Sequence, residues 1–231
     1  MNEQKYKPIP FTAPMVRAIL EGRKTQTRRL NGLDDVNKIP DAWDATRVTV
    51  GSLDYKVKKS AKGKYGATFI SHPDAIANRT IHVCPQICPY GQPGDRLWVR
   101  ETWQHSNFPF GPLDKSCAIF YRADYLNDPL GPDLELDTSS DIRRKWNPST
   151  HMPRWASRIT LEVTGVRVER LQDISGEDCW AEGIECAGWD SEKYGSVTHC
   201  YRDLWESING PGSWKTNPWV WVIEFKRVKE K

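Results

Sequence analysis

The sequence predicts an α+β fold, in which a curled mixed sheet or small barrel of strands has helices at its flank. Predicted strands outnumber predicted helices, and the two do not alternate in the regular β-α-β order of parallel sheets. Residues 159–168 alternate apolar and polar side chains, which is typical of a half-buried strand. We expect one domain over residues 1–231, with insertions at about 31–90 and 124–150.

The N-terminal segment predicts a strand followed by a helix. Residues 8–11 suit a short strand, Thr12 can cap a helix, and Pro14 fits the first helical turn. Gly22 is suited to end the helix. The apolar residues of this helix recur at helical spacing and define one face: Met15, Val16, Ile19 and Leu20.

The two predicted insertions differ in character. Residues 31–90 are polar, with short β-like runs at 47–50 and 67–70, and we interpret them as a β-rich segment packed on the main domain. Residues 124–150 are rich in Asp, Pro and Ser, which predicts a long loop.

The remaining strands follow from apolar runs and their bounding turns. A turn cluster at residues 91–95 precedes an apolar strand at 96–103, and a second strand is predicted at 117–121. The chain closes with a strand at 218–228, which contains several large apolar side chains.

Two helices are predicted in the C-terminal part. Ser175 and Asp178 resemble a capping box, with Asp in place of the usual Glu or Gln. The helix that they open contains Cys179 and Glu182, which are three residues apart and are both expected to face inward. The next helix has one apolar face: Tyr201, Leu204, Trp205 and Ile208.

Charge and hydropathy exclude several classes of protein. The chain has 33 Lys and Arg against 30 Asp and Glu, so any contact with nucleic acid must come from local patches. No apolar run approaches the roughly 20 residues of a membrane helix. Residues 1–12 lack the apolar core of a signal peptide, so we expect a cytoplasmic location. The six cysteines are then expected to be free thiols.

The spacing of His82, Cys84 and Cys88 could hold a metal ion. However, no second Cys/His pair follows at the distance typical of a zinc finger. We therefore predict neither a metal nor a cofactor.

The sequence GRKTQTRR at residues 22–29 is the strongest functional signal. It places four cations and two hydroxyls directly after the predicted helix. A lysine beside threonines can bind an anion such as phosphate, or a desolvated lysine can activate a hydroxyl nucleophile. The alternative is a helix end followed by a solvated basic strand.

These segments together resemble the ASCH family (activating signal cointegrator homology), which has a PUA-like β-barrel. The similarity rests on GxKTxTxR at residues 22–29, GDxLWV at 94–99, the helix entry at 171–183 and the closing strand at 219–225. It covers about residues 8–30, 91–123 and 155–228. The sequences CPYG at 88–91 and WESIN at 205–209 resemble a larger form that is common in bacterial prophages.

One branch of this family, the small bacterial N4-acetylcytidine amidohydrolases, implies an activity and a catalytic group. The resemblance implies that Lys24, Thr27 and Glu182 are catalytic and that Arg29 matches the following arginine of the motif. Lys24 would take the proton of Thr27, Thr27 would attack the acyl carbonyl, and Glu182 would donate to the leaving amine. On a regular strand residues 24 and 27 point to opposite faces, so this mechanism needs a turn or irregular loop there.

Substrate contacts and partners remain open between two classes. The partner is a modified cytidine or a nucleic acid, with no membrane, and the candidate contact residues are Arg23, Arg28, Arg29, Trp98, Glu101 and Trp155. In the alternative, a non-catalytic RNA or modified-nucleic-acid binding module, the cations contact phosphate and the tryptophans stack on bases. A third possibility, a ribonuclease, lacks a convincing histidine pair, because His151 and His199 are isolated.

Overall fold

The computed structural model describes residues 6–45, 49–50, 65–72, 82–107, 111–125, 146–185 and 196–228. The strands are β1 (Tyr6–Pro10), β2 (Gln26–Arg29), β3 (Trp43–Ala45), β4 (Thr49–Val50), β5 (Tyr65–Ser71), β6 (Val83–Ile87), β7 (Arg96–Arg100), β8 (Trp103–His105), β9 (Ile119–Tyr121), β10 (Thr160–Arg170) and β11 (Trp219–Val228). The α-helices are α1 (Ala13–Leu20), α2 (Gly176–Ala181) and α3 (Val197–Asn209). The predicted α+β class is confirmed.

Three sheets contain these strands. A five-stranded sheet has the order β1-β7-β10-β11-β2, and it is mixed, because β1 pairs with β7 in parallel whereas β11 pairs with β2 antiparallel. β5 pairs with β3, β4 and β6 in a second sheet, and β8 pairs with β9. In this order β1 and β2 each have a single neighbour, so the described strands do not close into a barrel, which corrects that part of the prediction.

The chain divides into two compact units. The first contains Met1–Gly22, Arg96–Leu161 and Arg227–Lys231, and the second contains Arg23–Asp95 and Glu162–Lys226. Each unit has its own apolar core, and each is described separately below.

In the first unit, β1 and β7 bury one face of their pair. Ile9 in β1 and Leu97 and Val99 in β7 are 0–1% exposed. α1 buries Val16, Ala18 and Ile19, which confirms the predicted helix. Its N-cap is Thr12 as predicted, although the Thr12 side chain makes no capping hydrogen bond.

The predicted strand at 96–103 is two strands rather than one. β7 ends at Arg100 and β8 begins at Trp103, so the residues between them lie outside both strands. The intervening Glu101 is 1% exposed and its carboxylate accepts hydrogen bonds from Arg158, so a buried ion pair lies at the break between the two strands. The predicted strand at 117–121 is β9, which begins two residues later.

In the second unit, α2 and α3 pack together on β11. Their shared core includes Leu171, Cys179, Tyr201, Trp205 and Val222. Cys179 and Glu182 are 0% and 4% exposed, so the prediction that both face inward is confirmed. Ile208 is 47% exposed, and its assignment to the apolar face of α3 is wrong because α3 ends one residue later.

The predicted β-rich segment contains β3, β4, β5 and β6. The predicted run at 67–70 is confirmed as part of β5, and the last two residues of the predicted run at 47–50 are confirmed as β4. Residues 47–48 of that run lie outside the described residues, as do residues 126–145 of the predicted loop and Cys186. Cys84, Cys88, Cys117 and Cys179 are free thiols, whereas Cys200 is disulfide-bonded, so the expectation of free thiols is wrong for Cys200.

None of the described helices is long and apolar enough to cross a membrane.

We expect Ser175→Ala to destabilise the protein by about 1 kcal/mol, because Ser175 Oγ accepts a hydrogen bond from the N–H of Asp178 at 3.1 Å and caps α2. Urea unfolding measures this change. The matched control is Ser207→Ala, an exposed Ser→Ala change inside α3, where alanine is the better helix former. Equal losses of stability in the two variants would contradict the capping role.

Candidate active site

Backbone hydrogen bonds on both sides fix the segment that precedes β2. The N–H of Thr25 donates to the carbonyl of Ala181 at the end of α2 (2.8 Å), and the N–H of Phe225 in β11 donates to the carbonyl of Thr25 (2.8 Å). These bonds hold Lys24 beside the end of α2, where Glu182 is the C-cap residue.

Four of the eight residues of the basic motif are buried, namely Lys24, Gln26, Thr27 and Arg28. Lys24 and Thr27 are each 2% exposed, and Arg28 is 4% exposed. Arg23 differs, because its side chain is 35% exposed, forms an ion pair with Glu185 and donates to the carbonyl of Gly183 at 3.2 Å. The interpretation of this segment as a solvated basic strand is therefore excluded.

Lys24 and Glu182 form a buried ion pair. Lys24 Nζ donates to Glu182 Oε2 at 2.6 Å and to the main-chain carbonyl of the same residue at 2.8 Å. The side chains are 0% and 4% exposed. A residue of α2's C-terminus thus provides both a carboxylate and a carbonyl to one ammonium group, which fixes its position.

Burial lowers the pKa of the Lys24 ammonium below its usual value. Glu182 acts in the opposite direction through its charge and its hydrogen bond, whereas the charges of Arg29 and Arg28 lower the pKa of Lys24 further. A lysine in this environment gives up its proton more easily than a solvated lysine, which suits proton transfer.

Arg28 holds the second oxygen of Glu182. Its Nη1 donates to Glu182 Oε1 at 3.1 Å, and its Nη2 donates to Asp178 Oδ2 at 2.8 Å. Its Nε donates to Glu169 Oε1 at 2.9 Å. Burial disfavours the charge of Arg28, but Glu182 and Glu169 outweigh that effect and raise the pKa of the guanidinium. Arg28 therefore stays charged and fixes the Glu182 carboxylate.

Arg167 extends the network on β10. It donates to Glu169 Oε2 at 3.0 Å and to Asp178 Oδ2 at 2.9 Å, and it also pairs with Glu224. Burial disfavours ionised Asp178, but Gln26, Arg28 and Arg167 outweigh it and lower the pKa of Asp178. The carboxylates around Arg28 thus have cations on more than one side.

The contacts of β2 show which of its residues face α2. Gln26 Nε2 donates to the carbonyl of Asp178 at 2.9 Å, and Arg28 binds Asp178 and Glu182. Alternate strand residues share a face, so Thr27 lies on the opposite face of β2. Thr27 is paired in register with Ile223, and its hydroxyl has no hydrogen-bond partner in the part of the chain that the structure describes.

Thr27 therefore occupies a regular strand position. The turn or irregular loop that would turn the Thr27 hydroxyl toward Lys24 is not present between residues 26 and 29. The structure brings together Lys24, Glu182 and Arg28, and it leaves Thr27 adjacent in sequence but on the other side of β2.

Arg29 and two tyrosines complete the buried surroundings. Burial lowers the pKa of Arg29, while Tyr90, Glu182 and Tyr201 act in the opposite direction. The Arg28 guanidinium lies 5.8 Å from the centroid of the Tyr201 ring, and burial followed by the charge of Glu182 raises the pKa of this phenol well above its usual value. Tyr201 stays protonated near Glu182.

Sequence reasoning missed three of these residues, namely Tyr201, Glu169 and Asp178 as an ion-pair partner. Tyr201 was assigned only to the apolar face of its helix, and Asp178 only to the capping box. The signal available in the sequence was the run of charged residues at alternate positions in the last part of β10, which includes Arg167 and Glu169.

The other predicted contact residues belong to the first unit. Glu101 accepts hydrogen bonds from Arg158 at 3.0 and 3.1 Å, and burial raises the pKa of its carboxyl although Arg158 opposes this effect. Trp98 is 7% exposed and Trp155 is 39% exposed. Trp98, Glu101 and Trp155 thus all lie in the first unit.

The described residues include no group of three or more His, Cys, Asp or Glu side chains that could hold a metal ion. No protein-family model, curated protein or solved structure matches the chain. The function is therefore argued from the geometry and chemistry of the site.

We expect Lys24→Met to change how stability depends on pH. The pKa of Lys24 in the folded protein lies below 10.5, so between that lowered value and 10.5 the unfolded chain binds more protons than the folded chain. The free energy of unfolding of the wild type should therefore rise with pH through this window, relative to the variant.

Urea unfolding at a series of pH values measures the difference between wild type and Lys24→Met. The control is Lys38→Met, because Lys38 is exposed and its ion pair with Asp35 raises its pKa, which gives the opposite sign. A difference between wild type and Lys24→Met that stays flat or falls with pH would contradict the lowered pKa of Lys24.

Proposed function

We propose that this protein hydrolyses N4-acylated cytosine nucleosides, and that Lys24 and Glu182 perform the proton transfers. The observation that supports the proposal most strongly is the buried contact of 2.6 Å between Lys24 Nζ and Glu182 Oε2, with Arg28 on the other carboxylate oxygen. We include in the proposal that the chain is an ASCH-family protein with a PUA-like fold, which agrees with the mixed sheet and with the position of Glu182 after α2.

The reaction needs groups that move protons at a site from which water is largely excluded. The Lys24 ammonium first passes a proton to Glu182, which leaves a neutral amine. An oxygen nucleophile then adds to the acyl carbon and gives its proton to that amine. The carbon–nitrogen bond to cytosine N4 breaks as Glu182 donates its proton to N4, so that cytidine leaves as a neutral amine and the ion pair is restored. The half-buried Arg29 would stabilise the negative oxygen of the tetrahedral intermediate.

The lowered pKa of Lys24 gives this scheme its physical basis. General bases work best when their pKa lies near the operating pH, and a solvated lysine is fully protonated there. Burial and the two following arginines shift Lys24 in the required direction. The hydrogen bonds to Glu182 then restrain the amine, which reduces the entropy lost on reaching the transition state.

The nucleophile has two possible identities, and each makes a different demand on the site. Attack by Thr27, which the resemblance implies, forms an acyl ester on the Thr27 hydroxyl that a water molecule then hydrolyses. This route requires β2 to turn that hydroxyl toward Lys24. Direct attack by a water molecule bound at Lys24 uses the observed contacts and requires no change in β2.

The burial of the site favours a reaction over the binding of a phosphate by the same cations. Lys24 and Arg28 have side chains that are 0% exposed and bind carboxylates. A phosphate would have to displace Glu182, Asp178 or Glu169, and each displaced carboxylate would lose its charge-assisted hydrogen bonds. A neutral nucleoside imposes no such exchange.

We expect Lys24→Met to reduce the turnover of N4-acetylcytidine by about 100-fold or more, since general acid–base catalysis contributes at least that factor. Release of cytidine is followed by chromatography, and circular dichroism confirms that the variant is folded. Lys38→Met is the matched control and should keep the wild-type rate. A folded Lys24→Met that turns over at the rate of the wild type would contradict the proposal.

We expect Thr27→Ala to distinguish the two nucleophiles. If Thr27 attacks, Thr27→Ala loses turnover, Thr27→Ser keeps part of it, and mass spectrometry of the acid-quenched wild type finds an acetyl group on Thr27. If water attacks, as the contacts of β2 favour, Thr27→Ala retains most of the activity and no acetylated enzyme is found. Loss of activity in both Thr27 variants without an acetylated wild type would show that Thr27 acts only in packing.

A further inference from the structure

Tyr201 is a buried phenol in the second unit, and its hydroxyl makes no hydrogen bond. The residue is 3% exposed, and no group in the part of the chain that the structure describes donates to its hydroxyl or accepts from it. Leaving a buried polar group unpaired costs free energy, so such a group in a folded protein needs a physical reason. A ligand that accepts the hydrogen bond of Tyr201 would supply that reason.

The ring of Tyr201 is held in place by three neighbouring side chains. The guanidinium carbon of Arg28 lies 5.8 Å from the centroid of the ring, which is within the range of a cation–π interaction. The rings of Trp205 and Trp214 lie at centroid distances of 6.3 and 6.1 Å. Because the ring is fixed by packing, the hydroxyl is a preorganised donor that needs little rearrangement when a ligand binds.

The charged groups of the candidate active site surround this phenol. Arg28 contacts both partners, since its guanidinium lies against the Tyr201 ring and its Nη1 donates to Glu182 Oε1 at 3.1 Å. Burial raises the pKa of Tyr201, the charge of Glu182 raises it further, and the charges of Arg28 and Arg29 act in the opposite direction. Tyr201 in turn acts on the pKa of Arg29. The phenol therefore lies within electrostatic reach of Glu182 and Arg29.

The Tyr201 hydroxyl differs from a second unpaired donor of the same core, the indole N–H of Trp205. Trp205 Nε1 is completely enclosed and has no hydrogen-bond partner among the described residues. The Tyr201 hydroxyl is not one of the unpaired polar atoms that the described residues enclose completely, so it keeps some contact with solvent. A ligand can therefore reach the hydroxyl of Tyr201, whereas the N–H of Trp205 is covered.

The chemistry of this donor suits a neutral oxygen that gains negative charge during the reaction. The pKa of Tyr201 lies well above its usual value because of burial, so the hydroxyl keeps its proton and acts as a donor. A ligand that is already anionic would be repelled by the Glu182 carboxylate nearby. The acyl oxygen of an N4-acylated cytosine is neutral when it binds and becomes negative as the nucleophile adds, which strengthens a hydrogen bond to it.

We propose that the Tyr201 hydroxyl donates a hydrogen bond to the acyl oxygen of the substrate and, together with Arg29, stabilises the negative oxygen of the tetrahedral intermediate. Tyr201 keeps its own proton throughout, so the proton transfers remain with Lys24 and Glu182. This inference rests on the proposed hydrolysis and adds to it a catalytic residue on α3, an element from which the proposed reaction otherwise takes no group.

The experiment measures kcat and KM for N4-acetylcytidine with the wild type and with Tyr201→Phe, which removes the hydroxyl and keeps the ring. Removing one donor to a developing oxyanion lowers kcat by about 100- to 1,000-fold, so we expect a loss of about that size. KM should change little, because the hydrogen bond becomes strong in the transition state. The matched control is Tyr121→Phe in the first unit, which should keep the wild-type kcat.

Two further measurements separate this role from a structural one. The Tyr201 hydroxyl has no partner among the described residues, so Tyr201→Phe should unfold at the same urea concentration as the wild type or at a higher one. The Tyr121 hydroxyl donates to the carbonyl of Ala156 at 2.9 Å, so Tyr121→Phe should unfold at a lower one. Because Tyr201 transfers no proton, the pH profile of kcat for Tyr201→Phe should keep the shape of the wild-type profile at a lower height.

The outcomes distinguish a failure of this inference from a failure of the proposed hydrolysis. If the wild type releases cytidine and Tyr201→Phe keeps the wild-type kcat, the role of Tyr201 is overturned and the hydrolysis stands. The role is also overturned if Tyr201→Phe is unfolded or less stable than the wild type, or if its pH profile loses one limb, which would indicate proton transfer. If the wild type releases no cytidine, the proposed hydrolysis is overturned, and the role of Tyr201 with it.

Discussion

The buried ion pair between Lys24 and Glu182 is the interaction on which the rest of the second unit depends. Taking an ammonium and a carboxylate out of water costs several kcal/mol for each ion, and the attraction between them compensates only when the remaining hydrogen bonds are satisfied. Lys24 has two acceptors on one residue, and Glu182 uses both carboxylate oxygens. The pair is therefore supported by its surroundings.

Those surroundings explain several features of the fold. α2 has six residues, and its capped N-terminus orients Asp178 and its C-cap Glu182 toward the same arginine, four positions apart on one helix face. Gln26 binds the carbonyl of Asp178, which ties β2 to the same helix. Arg167 also forms ion pairs with Glu169 and Asp178, two of the carboxylates that Arg28 binds, and so offsets part of their negative charge. A short helix and an edge strand are thus joined by charge and hydrogen bonds.

The sequence predicted the parts of this arrangement that depend on local patterns. The cap at Ser175, the inward position of Glu182 and the extent of β11 follow from spacing and hydropathy, and the structure confirms them. The identity of the partner of Arg28 could not be predicted in this way, because Glu169 and Asp178 lie more than 140 positions away in the chain and meet it only through strand pairing. The ion pair at the break between β7 and β8 likewise joins two residues that are distant in the chain, Glu101 and Arg158.

Arginine has two opposite roles in this protein, and the neighbouring groups decide which one applies. Where carboxylates surround the guanidinium, as at Arg28, its donors are satisfied internally and its charge serves to hold an acidic residue in place. Where an aromatic face holds the guanidinium, as at Arg100, the ring neutralises no charge, and the buried Nε has no hydrogen-bond partner within the described residues. The count of cations and the net charge of +3 describe neither role. Only the chemical type of the partner separates an arginine that holds a carboxylate in place from one that lies against an aromatic ring.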